Sequence, residues 1–301
     1  MNFLDDPKFG SSACFTGRYD RAGLRTLASV GIDCIELTGK YISFFDQWKF
    51  VDRAAEYGRT AREEGVEIWS LHLPFSRNID ISNTDKEIRS MTLRVHKTLI
   101  DRAAIAGAGV IVLHPSAEPI DEVHRPERMR LSREAICELN EECVRLGLRL
   151  AVEDLPRLCL CNRSDEMIEL LSGTGAGVVF DTNHSLREDN VHFIDALTAA
   201  GIRIHTLHIS DYFRDERGVL DERHVLPGEG INDWDGILDA LLRHGYEGPL
   251  MYEVPAHPKY CERPYTPEEL AENMRRLAAR DIKSGERLRR YPMPEQTGDR
   301  V

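Results

Sequence analysis

The chain has 301 residues, with 39 Lys and Arg against 51 Asp and Glu, for a formal net charge of −12. That balance repels phosphate backbones and anionic bilayers, which argues against nucleic acid and membrane partners unless a basic patch is concentrated locally. With 42% hydrophobic residues, no apolar run of membrane-spanning length and no signal-peptide pattern, the chain reads as a cytoplasmic protein with core enough for one large α/β barrel or two ordinary domains. The seven cysteines, at 14, 34, 137, 143, 159, 161 and 261, are odd in number and form no regular framework, which fits a reducing compartment. Cys159-Leu160-Cys161 lacks the two-residue spacing of zinc and redox motifs and reads as structural.

Short apolar runs alternate with amphipathic stretches along the whole chain. A weak strand at 9–15 precedes a helix at 19–30, stopped by Gly31. A strand at 32–37 carries Glu36 near its tip. An aromatic segment with Tyr41, Phe44, Phe45 and Trp48 reads as a loop before a helix at 50–64. The third strand, 66–73, ends in Leu71-His72-Leu73-Pro74, and a long helix follows at 84–106. The fourth, from Val110, ends in Leu113-His114-Pro115, before a helix at 126–146. The fifth, 148–153, ends in Glu153-Asp154, and a short helix spans 164–171. Val178-Val179-Phe180-Asp181 is the sixth, followed by a helix at 190–200. The seventh, 202–209, contains His205 and His208. Residues 210–232 read as a long charged loop of the kind that carries function. A helix at 233–244, a strand at 248–254 with Glu253, and a helix opening at Thr266-Pro267 complete the pattern. The segment 284–301 is a polar tail without periodicity.

Eight strands separated by helices imply parallel βαβ units, and the length fits a single (β/α)₈ TIM barrel over residues 1–283. An open doubly wound sheet is the competitor, but no glycine-rich phosphate fingerprint follows the first strand. Side chains alternate faces along a strand, so Asp181 shares a face with Val179, and Val178 and Phe180 share the other. Glu36, His72, His114, Glu153, Asp181, His208 and Glu253 stand at or near seven successive strand tips. Taken alone, each is a turn residue or a satisfied polar group. Seven together are hard to explain structurally, because charge is costly to bury without a purpose. Carboxylates with imidazoles are the ligand set of a divalent ion such as Mn²⁺, Zn²⁺, Co²⁺ or Mg²⁺.

In order, Leu71-His72-Leu73-Pro74, Leu113-His114-Pro115, Val152-Glu153-Asp154, Phe180-Asp181-Thr182-Asn183-His184, Leu207-His208-Ile209-Ser210-Asp211, His224-Val225-Leu226-Pro227-Gly228-Glu229-Gly230 and Tyr252-Glu253-Val254 resemble the xylose-isomerase-like barrel superfamily. The resemblance covers nearly the whole chain, from about Ala13 to Ala279. Relatives of the tagatose-epimerase and hydroxypyruvate-isomerase type imply one metal held by Glu153, Asp181, His208 and Glu253. They also imply proton transfer by Glu153 and Glu253 beside a carbonyl of a sugar or keto-sugar. His72, His114, His184 and His224 are then expected to bind substrate, with Glu36 at the mouth, Trp48 stacking on a ring and Arg214 or Arg217 covering an oxygen-rich end. The aromatic segment is equally well read as a hydrophobic cap or subunit contact, which leaves room for a homo-oligomer.

The epimerase subgroup carries a further glutamate in the segment that here reads Leu155-Pro156-Arg157-Leu158-Cys159. Its absence puts a ketose 3-epimerase in doubt and keeps open the superfamily's dehydratases and lyases, which act on keto-inositols and keto-sugars. A different class, the endonuclease-four type, shares the barrel and uses three zinc ions. Its ligands map onto His72, His114, Glu153, Asp181, His184, His208, Glu222, His224 and Glu253, with Glu222 replacing an aspartate. The net charge, and Ser12-Ala13-Cys14-Phe15 where the nuclease has its opening motif, favour the sugar enzyme.

Overall fold

A computed structural model describes residues 2–17, 19–38, 44–185, 187–214, 220–258 and 263–282. The strands of the barrel are β1 (Phe9–Ser12), β2 (Cys34–Thr38), β3 (Glu67–His72), β4 (Val110–Leu113), β5 (Arg149–Glu153), β6 (Gly177–Asp181), β7 (Ile204–His208) and β10 (Leu250–Tyr252). They pair in parallel in the order β10-β1-β2-β3-β4-β5-β6-β7. The ring closes where Ile209 N–H donates to the Met251 carbonyl at 2.8 Å and Glu253 N–H donates to the Ile209 carbonyl at 3.0 Å. Helices α1 (Arg21–Ser29), α2 (Phe44–Glu63), α3 (Lys86–Ala106), α4 (Arg125–Arg145), α5 (Ser164–Leu171), α6 (Asn190–Ala200), α7 (Trp234–His244) and α8 (Pro267–Ala278) alternate with the strands. The chain is a (β/α)₈ barrel, as expected.

Local chemistry sets the helix ends. Asp20, Asp85, Asp189 and Asp233 accept hydrogen bonds from first-turn N–H groups, and Thr266 with Glu269 forms a reciprocal capping box. Gly107, Gly201 and Gly245 end α3, α6 and α7 in the left-handed conformation that glycine adopts without strain.

Alternation along the strands divides the core. Val110, Val112, Ala151 and Val179 are fully buried and pack together with Trp69 inside the barrel. Ile111, Leu113, Leu150, Val152, Val178 and Phe180 belong instead to the larger core with the helices. Asp181 therefore points inward above Val179, as its parity requires. A register shift between Ile35 and Glu36 sets Glu36 opposite Ser70 across β2 and β3.

Two expectations are corrected. The aromatic loop is part of α2, which begins at Phe44, so Phe44, Phe45 and Trp48 are helical; no proline or glycine in Phe44-Phe45-Asp46-Gln47-Trp48-Lys49 interrupts the run. Tyr41 lies outside the described residues. The charged loop at 210–232 contains an antiparallel hairpin of β8 (Asp211–Arg214) and β9 (Leu220–Val225). Charged side chains on a two-stranded ribbon hide the apolar alternation that marks a strand. Arg214 ends β8, while Arg217 and the tail from 283 onward lie outside the described residues. No described helix is long and apolar enough to cross a membrane.

His96 in α3 is 2% exposed, and its Nε2–H donates to the Pro74 carbonyl at 3.0 Å while Nδ1 is buried without a partner. Burial pushes this imidazole down to about 4. The unfolded chain takes up the proton first, near 6.5, so stability falls as pH drops through 6.5 and the loss is complete below the folded value. Urea unfolding of the wild type and His96→Gln at pH 7 and pH 4 should show the wild type losing about 3 kcal/mol more than the variant.

Candidate metal centre and active site

The top of the barrel holds a buried cluster around His208, itself 0% exposed. Its Nε2–H donates to Glu36 Oε1 at 3.0 Å. Its Nδ1 faces Glu153 Oε1 at 3.2 Å, Glu253 Oε2 at 3.0 Å and Asp181 Oδ2 at 3.9 Å. His72 and His114 share one oxygen, Glu153 Oε2, at 3.1 and 3.0 Å through their Nε2 atoms. His72 also places Nδ1 at 2.9 Å from the Leu73 carbonyl, where it donates, and against the downward push of burial the Glu153 carboxylate at its Nε2 raises this imidazole above its ordinary range. His184 donates through Nδ1 to the Asp154 carbonyl at 2.8 Å, and the Asp154 carboxylate accepts from Asp181 N–H at 2.7 Å.

Three sets of side chains bring one ligand atom each within 4.8 Å of one another: Glu153, Asp181, His208 and Glu253; His72, His114 and Glu153; and Asp181, His184 and His224. Glu153 and Asp181 each belong to two sets. The donor chemistry fits a divalent cation, because three carboxylates face one imidazole nitrogen and the buried Asp181 Oδ2 makes no hydrogen bond. Burial pushes the Asp181 carboxyl well up, and the nearby Glu253 and Glu153 add to the rise. Burial opposes ionisation of Glu153 too, but His114 and His208 hold it well below the usual carboxylate range. Glu253 is likewise lowered against burial, by His208 and then His224. Burial pushes His184 down to about 3, so it is neutral at physiological pH.

Above the cluster a cavity of about 440 Å³ opens, lined by His72, Phe75, His114, Glu153, His184, His224 and Glu253, with Arg77, Glu118, Arg157 and Glu222 at its rim. The Phe75 ring stacks on His114 with centroids 3.5 Å apart. His224 reaches the cavity from β9, with φ 51° and Nδ1 at 3.0 Å from Ser210 Oγ. The hairpin is tied down by Asp211, which accepts from Gly228, Ile231 and Asn232 N–H groups and from Trp234 Nε1. Gly230 is required there, since a Cβ would lie 1.7 Å from the Tyr212 carbonyl oxygen.

The structure thus brings together Glu153, Asp181, His208, Glu253, His72, His114, His184 and His224. Glu36 differs from expectation: it is 0% exposed and lies behind His208, not among the residues lining the cavity. It sits within β2 and not at its end, two residues deeper than Thr38. Sequence reasoning missed Arg77, Glu118 and Ser70, and gave Arg157 no role. Arg157 pairs with Glu118 at 3.0 Å and with Glu222. A signal existed for both arginines, since each follows a strand-tip residue, His72 or Glu153, by only four or five positions in a short loop.

A (β/α)₈ barrel with its polar cluster at the C-terminal strand ends is the arrangement of a barrel enzyme. The chain belongs to the family described as Xylose isomerase-like TIM barrel, which it matches over residues 24–280. It is 25% identical over 239 residues to the protein named Probable endonuclease 4 of Thermoplasma acidophilum, covering 76% of this chain and 79% of that one. It is 25% identical over 237 residues to L-ribulose-5-phosphate 3-epimerase UlaE of Shigella flexneri serotype 5b, covering 77% and 80%. The crystal structure of IOLI protein with a binding zinc atom superposes with a TM-score of 0.71 at 20% identity, covering 91% of this chain and 97% of that chain.

Crowded, buried carboxylates destabilise a metal-free fold. The raised Asp181 carboxyl means that its ionisation opposes folding at every pH above the unfolded value near 3.8. Asp181→Asn, melted at pH 7 with excess chelator, should therefore be more stable than wild type by about 0.5–2 kcal/mol. An equal or lower melting temperature would contradict that repulsion.

Proposed function

We propose that the protein is a divalent-metal-dependent isomerase or epimerase of a sugar or keto-sugar that works by proton transfer at the carbon beside a carbonyl. The observation that carries this reading is the pair Glu153 and Glu253, both within 3.2 Å of one His208 nitrogen and both lining the same cavity. Glu153, Asp181, His208 and Glu253 would hold the ion, one of Mn²⁺, Zn²⁺, Co²⁺ or Mg²⁺. When bound, a divalent ion supplies Lewis acidity that polarises substrate oxygens and acidifies the neighbouring C–H.

The chain's own residues do the rest. Glu153 and Glu253 are ionised, as a base must be, and either can take the proton and return it. His72, held through Nδ1 by the Leu73 carbonyl and through Nε2 by Glu153, and His184, held by the Asp154 carbonyl, line the cavity where substrate hydroxyls would sit. His114 is fixed by stacking on Phe75. The likeness to a ribulose-phosphate epimerase supports a sugar substrate. A dehydratase or lyase acting on a keto-sugar or keto-inositol opens with the same proton removal and differs only in which bond breaks next.

Turnover in deuterated water should place deuterium at the carbon beside the carbonyl in recovered substrate or product. Glu253→Gln should slow both turnover and label exchange by about 10²–10⁴-fold, read beside its bound metal so that loss of the base is separated from loss of the ion. Full turnover with no solvent label at any carbon would replace proton transfer with hydrogen shift within the substrate.

A second reading is a zinc-dependent abasic-site endonuclease, favoured by one observation: the three ligand sets are linked through Glu153 and Asp181. Against it stands the net charge of −12, which opposes approach to DNA. The Glu222 carboxylate is also paired with Arg157. Duplex DNA with an abasic site should stay uncut at physiological salt by protein given Zn²⁺. Robust incision that disappears in Glu153→Gln, with about three metals per chain by elemental analysis, would transfer the protein to this class.

A further inference from the structure

We propose that Glu36 is a positioning residue: it holds His208 in the tautomer protonated at Nε2, so that the Nδ1 lone pair faces the carboxylate cluster. The inference rests on the metal-dependent reading above and gives that site its orienting partner.

Glu36 lies inside the barrel, 0% exposed, where an apolar side chain would be the ordinary occupant. A carboxylate in such a place is costly unless its oxygens are matched. Both are. Oε2 accepts from Ser70 Oγ at 2.7 Å, and Oε1 accepts from His208 Nε2 at 3.0 Å. The register shift between β2 and β3 puts Glu36 and Ser70 side by side, so the backbone of two strands aims the carboxylate.

Two other roles fit worse. Glu36 does not line the cavity, so it has no path to substrate. It is also absent from each group of ligand atoms that converge within 4.8 Å, because the His208 ring stands between it and Glu153 and Glu253. An imidazole offers a cation one lone pair only if its other nitrogen keeps the proton, and a carboxylate acceptor on that nitrogen fixes which one. With the tautomer reversed, His208 would turn an N–H toward Glu153 and Glu253 and its lone pair toward Glu36, and the four-residue set would lose its nitrogen ligand.

The test uses chelator-treated full-length protein titrated with Zn²⁺ against a competing chelator. Glu36→Leu should weaken zinc binding by about 10–100-fold. Glu36→Gln, whose amide oxygen can still accept from Nε2–H while its NH₂ meets Ser70 Oγ, should restore most of the loss. Ser70→Ala, a smaller change, guards against misfolding of the leucine variant and should give a weakening of its own. Two-bond ¹⁵N spectra of the zinc-loaded wild type should show His208 protonated at Nε2. A purely structural Glu36 would lower the melting temperature of the chelated protein in Glu36→Leu and leave zinc affinity unchanged. That result, or His208 protonated at Nδ1, overturns the proposal. If deuterium exchange proceeds while Glu36→Leu binds zinc like wild type, only the role of Glu36 fails. If zinc affinity depends on Glu36 and no substrate exchanges label, the proton-transfer reading fails and Glu36 keeps its role. A wild type that binds no zinc overturns both.

Discussion

One imidazole among four carboxylates is the constraint on which the upper half of the barrel depends. His208 is fully buried and meets Glu36 on one ring nitrogen and Glu153, Glu253 and, further off, Asp181 on the other. Two like charges 4 Å apart repel by about 4 kcal/mol at an effective dielectric of 20, a large share of the 5–15 kcal/mol by which a domain is stable. Burial also keeps Glu36, Asp181 and His208 from swinging out to water. The electrostatic response is visible at two of them: His208 is driven well above the ordinary imidazole range against its burial, chiefly by Glu36, Glu253 and Glu153, while burial, with Glu253 and Glu153, drives Asp181 up. An apolar side chain at any of these places would fold more comfortably. The carboxylates and imidazole crowded there are groups of the kind that could hold a cation, with four ligand atoms within 4.8 Å of one another.

The barrel makes such a cluster affordable because each charged group comes from a different strand and is locked by packing that has nothing to do with charge. Val179 under Asp181, Ala151 under Glu153 and Val112 below His114 form a dry layer inside the ring, and their neighbours of opposite parity anchor the same strands to the helices. The hairpin that brings His224 over the mouth is held the same way, by a fully buried Asp211 collecting four N–H donors from the segment that follows it. Rigidity is thus built one layer below or beside the site.

Much of this could be read in the amino-acid sequence, for reasons of periodicity. Asp181, Glu153 and His208 each close a short apolar run, and a side-chain period of two fixes which face they share with Val179, Ala151 and Thr206. Some helix ends were equally plain, because a glycine stop such as Gly31 or a Thr266-Pro267 start acts within a few residues, whereas the Asp caps emerge only in the structure. What stayed hidden depends on contacts between distant segments. The contact of Glu36 with Ser70 follows from a register shift opposite β3, which no pattern within β2 records. The β8–β9 hairpin is a polar ribbon, so its strands lack the alternation that marked the others. The pairing of Arg157 with Glu118 and Glu222 joins two loops and the β9 strand across 39 and 65 positions.

That pairing bears on how the two candidate chemistries divide. The resemblance to epimerases expected a glutamate in the segment around Arg157, and the resemblance to nucleases expected an acid at position 222 beside the third ligand set. In the structure these two departures meet: the cation that stands where one acid was expected binds the acid expected by the other class. A carboxylate already matched by a guanidinium is a poorer partner for a further cation than a buried one such as Asp181, whose Oδ2 makes no hydrogen bond. The rim consequently carries matched charges, Arg157 with two glutamates, where a DNA-binding face would need cations in excess. Below that rim, in the same cavity of about 440 Å³, Glu153 and Glu253 meet the imidazoles of His114 and His208, so the charge pairing changes from guanidinium at the mouth to imidazole at the floor.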